Sequence, residues 1–236
     1  MEIIAVIPAR AGSKRIPGKN LKLLGEKPLV AWSIEVALAS KSFERVLVST
    51  EDSKIAEVAK SYSAEVPWLR PADLATDEAT SEDVVIDLLG RINKEKGKLP
   101  KALMLLQPTS PFRSANSIHR AIDLFENNGG ESVVSVSLSA TSPYLCKILN
   151  GKGEMKPFIP DQPDIQRTQD MPPVYQLDGL IYLSSIQNLL NEKSFYSKHT
   201  RGLIIDDPHE SIDIDTPLDW LMAQAVLAQR EAKDIK

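Results

Sequence analysis

The chain has a single cysteine, Cys146, so it cannot form an internal disulfide, and its cysteine usage gives no sign of an oxidising compartment. It lacks any apolar run near the roughly 18 to 20 residues needed to cross a bilayer. The N-terminal segment MEIIAVIPARAG puts Glu2 ahead of a very short apolar stretch, which reads as a strand rather than a signal peptide. The expectation is a cytoplasmic protein with no membrane partner. Positive charge is also in deficit: 28 Lys and Arg against 32 Asp and Glu give a formal net charge of -4, which excludes a nucleic-acid binder relying on a generally basic surface. The three histidines (His119, His199, His209) have no metal-ligand spacing, and Ser110 is not in a G-x-S-x-G elbow, so hydrolase chemistry has no support. No internal repeat and no low-complexity tract is present.

What is present is enough apolar material, 42% of 236 residues, for one sizeable core. Near-continuous apolar runs at residues 3–7, 46–48 and 102–106 have the length and character of strands buried on both faces of a parallel sheet. Helical spacing separates them. Val85, Leu88, Leu89 and Ile92 follow i, i+3, i+4, i+7, as do Ile118, Ala121, Ile122 and Phe125; Ile55, Ala59 and Tyr62 do so more loosely. Thr50 and Ser114 are placed to cap helices, and Thr216, Pro217 and Asp219 form a capping-box-like start to a last helix.

The alternation implies an α/β fold with ligands at the carboxyl ends of its strands. After about residue 132 the pattern changes. SVVSVSLS alternates with period 2, the stretches near 144–149 and 180–184 look strand-like, and 150–176 is rich in Pro, Gln and Asp. This predicts a β-rich extension from the α/β body, with Cys146 as a small core residue on one of its strands.

Charge is strongly segregated. Between Glu2 and Glu26 lie Arg10, Lys14, Arg15, Lys19 and Lys22 and no acid, in a Gly-containing loop directly behind the first apolar run. Such a loop offers backbone N–H groups and fixed cations to an anion, and a triphosphate is the natural guest. It is not a Walker A loop, because five residues separate Gly12 from Gly18 and Asn20 follows Lys19. A solvated surface loop with surplus cations would read the same way in isolation.

From Gly202 to Gln229 there is no Lys or Arg, while six acids accumulate. In SIDIDTP, Asp213 and Asp215 alternate with Ile212 and Ile214, so an extended backbone would place both carboxylates on one face, roughly 6–7 Å apart. Such a pair could hold Mg2+, or could simply face water on an edge strand. The combination of a basic cradle with paired carboxylates favours phosphoryl or nucleotidyl transfer.

Taken together, IPARAGSKRIPGKN, VLVST with ED, LRPADLATD, LLQPTSPFR, RTQDMPPVY and SIDIDTPLD resemble, in order, the motifs of the CMP-sialic acid synthetases. These acylneuraminate or nonulosonic acid cytidylyltransferases activate such acids with CTP. The resemblance runs over residues 3–222. It implies a Rossmann-like, mostly parallel sheet flanked by helices, of the nucleotide-diphospho-sugar transferase type. One domain over 1–236 would carry a dimerisation and sugar-binding extension at about 138–180.

The resemblance further implies that Arg10, Lys14, Lys19 and Asn20 handle the CTP phosphates, with Arg70 and Ser81 as further nucleotide contacts. It makes Gln107, Arg167, Gln169, Asp178 and Tyr182 sugar contacts and Asp213 and Asp215 the ligands of Mg2+. Arg10 and Lys19, with the two aspartates, would carry the catalysis. The implied partners are CTP, a nonulosonic acid and a second copy of the chain, whose active site Arg167 could serve. Asp178 departs from the Asn-Gly that many members carry before the IY strand. The nearest alternative is a cytidylyltransferase for KDO or another keto-acid sugar; a nucleotide-binding regulator without turnover and a plain interaction module are rivals of other classes.

Overall fold

The apolar run at the start of the chain is buried on both faces and forms β1 (Ile3–Pro8). In the computed structural model, which describes residues 1–160, 167 and 171–234, a small hairpin follows, β2 (Leu23–Leu24) with β3 (Lys27–Pro28). Next come α1 (Leu29–Ser40), β4 (Arg45–Ser49), α2 (Ser53–Ser61), α3 (Ser81–Lys96), β5 (Ala102–Leu105) and α4 (Ala115–Asn127). The second half contributes β6 (Ser132–Leu138), β7 (Lys147–Leu149), β8 (Met155–Pro157), β9 (Tyr175–Ser185), α5 (Ile186–Glu192), β10 (Arg201–Ile204) and α6 (Pro217–Asp234). Six strands make one sheet in the order β10-β6-β9-β5-β1-β4, parallel except for β9.

Strand alternation sorts the core into two layers. Ile3, Ala5, Ile7, Val46, Val48 and Met104 pack with Val30 and Ile34 of α1, Ile55 of α2 and Ile118, Ala121 and Phe125 of α4. Ile4, Val6, Leu47, Leu103 and Leu105 face the other way, onto Val85, Leu88, Leu89 and Ile92 of α3 and Ile186 and Leu189 of α5. Both helical stripes read from spacing are therefore core faces. Ser114 caps α4 by accepting from Ser117 N (3.1 Å), and the Thr216–Asp219 box opens α6. Thr50 is not a cap. It is fully buried, and Asp52 caps α2 instead, accepting from Ile55 N at 2.9 Å.

Three expectations for the second half need correction. SVVSVSLS is not a departure from the sheet: β6 is an interior strand, buried on both faces over most of its length, with the Ser132 and Ser135 hydroxyls hydrogen-bonded internally. The stretch near 180–184 belongs to β9, between β6 and β5. Among the described residues of this half, the β7–β8 hairpin alone forms a two-stranded ribbon apart from the main sheet, and Cys146 just before it is exposed rather than part of a core.

Where β9 passes β6 the register slips: Val134 pairs with Tyr182 but Val136 pairs with Leu177, so Asp178–Ile181 bulge opposite Ser135. Ser135 patches the gap. Its hydroxyl accepts from Ile181 N (2.8 Å) and donates to the Asp178 carboxylate.

Candidate active site

β1 leads through α1 to β4 on one side, and β4 leads through α2 and α3 to β5 on the other. Consecutive connections therefore leave the carboxyl ends of β1 and β5 in opposite directions, and a crevice opens between them. A cavity of about 340 Å³ occupies it, lined by Arg10, Lys19, Asn20, Arg70, Ser81, Gln107, Asp213 and Asp215 among others. Eight residues singled out from sequence, drawn from segments more than 190 positions apart, thus meet around one space.

The cationic loop is held in shape locally. Gly18 takes a left-handed conformation (φ 64°) that starts a 3-10 turn over Lys19–Leu21. Asn20, buried, donates to the Arg10 carbonyl at 2.8 Å. Glu51, directly after β4, accepts from Ala11 N (2.7 Å) and from Arg70 (2.8 Å), so one carboxylate fixes both the loop and a buried arginine of the opposite wall. Ser81 sits in the first turn of α3, behind the Thr80–Asp83 capping box.

Each charged member of the loop has a counterpart. Arg10 reaches Asp77 Oδ1 (2.8 Å) and donates to the Thr76 carbonyl (2.7 Å), and Lys14 pairs with the same aspartate. Lys14 first, then Arg10, holds the Asp77 carboxyl below its ordinary range. Lys19, mostly buried, donates to the Ile214 carbonyl (2.8 Å) and Asp215 Oδ1 (3.2 Å), and Arg15 approaches Asp215 Oδ2 at 3.4 Å. Lys22 lies over the Trp220 ring, 4.4 Å from its centroid.

The segment 212–215 has no regular secondary structure and joins no ladder; Ile214 N donates to the Thr109 carbonyl at 2.8 Å. Ile214 is fully buried with Ile16, Leu24, Phe112 and Trp220, which turns Asp213 and Asp215 toward the cavity from either side of it. Desolvation pushes the Asp213 carboxyl up; a hydrogen bond from Thr109 lowers it again, and Asp215 adds repulsion. Two carboxylates open to one cavity are the hard oxygen donors that suit Mg2+. Among the described residues no group of three or more metal-binding side chains occurs, so an ion there would complete its shell with water and substrate oxygens.

The acceptor side is less complete. Gln107 lines the cavity beside Gly179 (φ 74°), where a Cβ would stand 3.1 Å from Gln107 Oε1. Tyr182 packs on Phe195 (centroids 5.6 Å apart), and burial pushes its hydroxyl up to about 12. Asp178 lies off the cavity lining. Only 5% exposed, it turns away from the cavity into the bulge, bound by Ser135 and by Leu180 N (3.0 Å), and burial pushes its carboxyl up. Its carboxylate braces the Gly179 turn and does not line the cavity. Arg167 is exposed and does not line the cavity; Gln169 lies outside the described residues. Asp77, Glu51 and Thr109 were not singled out in advance, although all three lie inside segments that carried the resemblance.

A phosphate-seeking loop and an acidic arm meeting at the carboxyl ends of parallel strands define a nucleotidyltransferase. The cytidylyltransferase family model matches residues 4–231, and the chain belongs to that family. It is 43% identical over 228 residues to the CMP-N,N'-diacetyllegionaminic acid synthase of Legionella pneumophila, covering 96% of this chain and 97% of that protein. It is 33% identical to the N-acylneuraminate cytidylyltransferase of Escherichia coli O18:K1:H7, covering 99% of this chain but 54% of that protein, so it spans about half the length of that relative. A solved CMP:2-keto-3-deoxy-manno-octonic acid synthetase, complexed with CTP, shares the fold (TM-score 0.71, 17% identity, 98% and 100% of the two chains). The resemblance to CMP-sialic acid synthetases read from the motifs therefore holds.

Proposed function

We propose that this chain transfers CMP from CTP to the anomeric hydroxyl of a sialic acid-like nonulosonic acid and releases pyrophosphate. The observation that carries the reading is the convergence of Arg10, Lys19, Asp213 and Asp215 on one cavity. The acceptor oxygen attacks the α-phosphorus, a new P–O bond forms, and the bond to the β-phosphate breaks in line. Negative charge grows on the α-phosphoryl oxygens and the departing pyrophosphate, and cations already fixed there stabilise that state more than the ground state. Arg10 and Lys19 take this role, Lys14 and Asn20 hold the phosphates, and Arg70 and Ser81 hold the nucleoside. Asp213 and Asp215 would hold Mg2+, which when bound acts as a Lewis acid on the phosphates and the attacking hydroxyl. Gln107 serves the acceptor, and Tyr182, paired with Leu105 on the neighbouring strand, supports that side of the site.

Incubation with CTP, Mg2+ and a panel of N-acetylneuraminate, legionaminate, pseudaminate and KDO tests the reading, with pyrophosphate and CMP-sugar measured together. The Legionella relative's name makes N,N'-diacetyllegionaminic acid the first acceptor to try. Pyrophosphate above background with a nonulosonate is expected; turnover with KDO alone would replace the reading with the alternative.

Binding of CTP has a competitor inside the protein. Arg10 and Lys14 must exchange Asp77 for phosphate oxygens. Asp77→Asn is therefore expected to lower the CTP dissociation constant by about three- to tenfold, since charge pairs at an exposed site are worth only a fraction to about 1 kcal/mol each. Titration calorimetry without acceptor reads this directly.

The β7–β8 hairpin exposes Ile148, Leu149 and Met155, with Leu138, Phe158 and Leu177 exposed near its base in the chain. So much uncovered apolar surface favours a homodimer built on this extension, which could also bring Arg167 to a neighbouring active site. Sedimentation equilibrium is expected to give twice the chain mass, and Leu149→Asp with Met155→Asp to give the monomer. Its need for CTP favours a cytoplasmic location.

A further inference from the structure

We infer that Arg113, which touches neither the cavity nor its ligands, is a positioning residue for acceptor recognition, clamping the two backbone segments that carry Gln107 and Gly179. Arg113 lies in the loop between β5 and α4 and is 3% exposed. Its Nε donates to the Leu180 carbonyl (2.7 Å), Nη2 to the Gln107 carbonyl (3.0 Å) and Nη1 to Ser33 Oγ (3.0 Å). Ser33, on α1, in turn donates to the same Gln107 carbonyl at 3.2 Å.

A buried guanidinium is a costly way to fill space, and an apolar side chain of similar volume would do so more cheaply. Burial drags Arg113 down to about 9, with Glu210 and Asp178 resisting, so it is still cationic near neutrality. What the guanidinium supplies is a rigid planar fork that holds several acceptors in fixed relation. Two of those acceptors are informative. Leu180 lies in the β9 bulge, where pairing with β6 is interrupted, and its carbonyl is taken by Arg113. Gln107 is the cavity residue whose side-chain oxygen sits against Gly179, one position before Leu180. The fork therefore spans the joint between the segment that leaves β5 through Gln107 and the bulge that presents Gly179, and it sets their separation. No such bond runs from Arg113 to Arg10, Lys19, Asn20, Arg70 or Ser81 among the described residues.

The inference rests on the proposed transferase reading, in which Gln107 meets the acceptor. It is tested on the full chain with the acid that the wild type turns over best. Arg113→Met is expected to raise the acceptor KM by about 10- to 100-fold, the scale of an ångström-sized misplacement. The CTP KM, and the CTP dissociation constant measured without acceptor, should stay within about threefold. Arg113→Lys, which keeps the charge and part of the hydrogen bonding, should recover a part of the loss. Ser33→Ala, a milder change at the same joint, should shift the acceptor KM in the same direction and carries the test should Arg113→Met not fold.

Equal loss on both substrates across the variants that fold, or no change on either, overturns the inference and leaves the transferase reading standing. A wild type that turns over none of the acids overturns the reading, and the inference with it.

Discussion

Asp215→Ala is expected to lose about 10³-fold or more of magnesium-dependent turnover while the protein remains folded, the scale on which removal of one preorganised electrostatic group acts in an active site. The two halves of this expectation come from different atoms. The carboxylate faces the cavity and is the group assigned to the metal, and it also orients Lys19 and Arg15. The fold depends instead on the main chain here: Asp215 N donates to Asp219 Oδ2 (3.0 Å) and Ile214 N to the Thr109 carbonyl, neither of which the substitution removes. The lost ion pairs are partly exposed, and such pairs contribute about 0–1 kcal/mol. Initial rates across a magnesium titration, with a thermal melt beside them, read both halves. Turnover like the wild type's at low magnesium would refute the assignment.

Lys19→Met should cost about two to three decades in kcat, as expected for a cation aimed at developing phosphate charge. Its ammonium is poised by two oxygens, the Ile214 carbonyl and Asp215 Oδ1, so it enters the reaction already placed. Methionine keeps the stem and most of the packing, which separates charge from volume. Lys19→Arg should rescue little, because a planar fork does not fit a point-charge position. Rates of pyrophosphate release at saturating CTP decide it; a kcat within about threefold of the wild type's would move the catalytic burden to Arg10.

The sheet was legible where burial is two-sided. Residues 3–7, 46–48 and 102–106 are continuous apolar runs because helices cover both faces, and no exposed side interrupts them. β6 was misjudged because its serines imitate the polar half of an alternating strand. In the structure Ser132, Ser135 and Ser137 are buried, Ser132 donating to the Phe195 carbonyl and Ser135 mending the bulge.

The charged arms of the site were legible because like charges cluster in sequence around a single function. Asp77 and Glu51 were not, since Asp77 meets Arg10 and Lys14 from a distant segment, Glu51 meets Ala11 across 40 positions and Arg70 across 19, and nothing local marks an acid as a counter-ion. The burial of Asp178 was illegible for a related reason: nothing local marks an acid beside glycine as buried, and only the register slip of β9 folds it inward. The place of Arg113 was not legible either: three neutral acceptors from three separate parts of the fold cannot be read from one stretch of chain.

Ile16 stands inside the cationic loop and Ile214 stands between the two aspartates, and both are sunk in the same small apolar cluster with Trp220. The opposing arms thus share one anchor, and neither can swing away without dragging the other. Salt weakens attraction between exposed charges but leaves apolar burial intact or strengthens it. The jaws of this enzyme would therefore keep their gape in strong electrolyte, when the ionic grip on a nucleotide has faded.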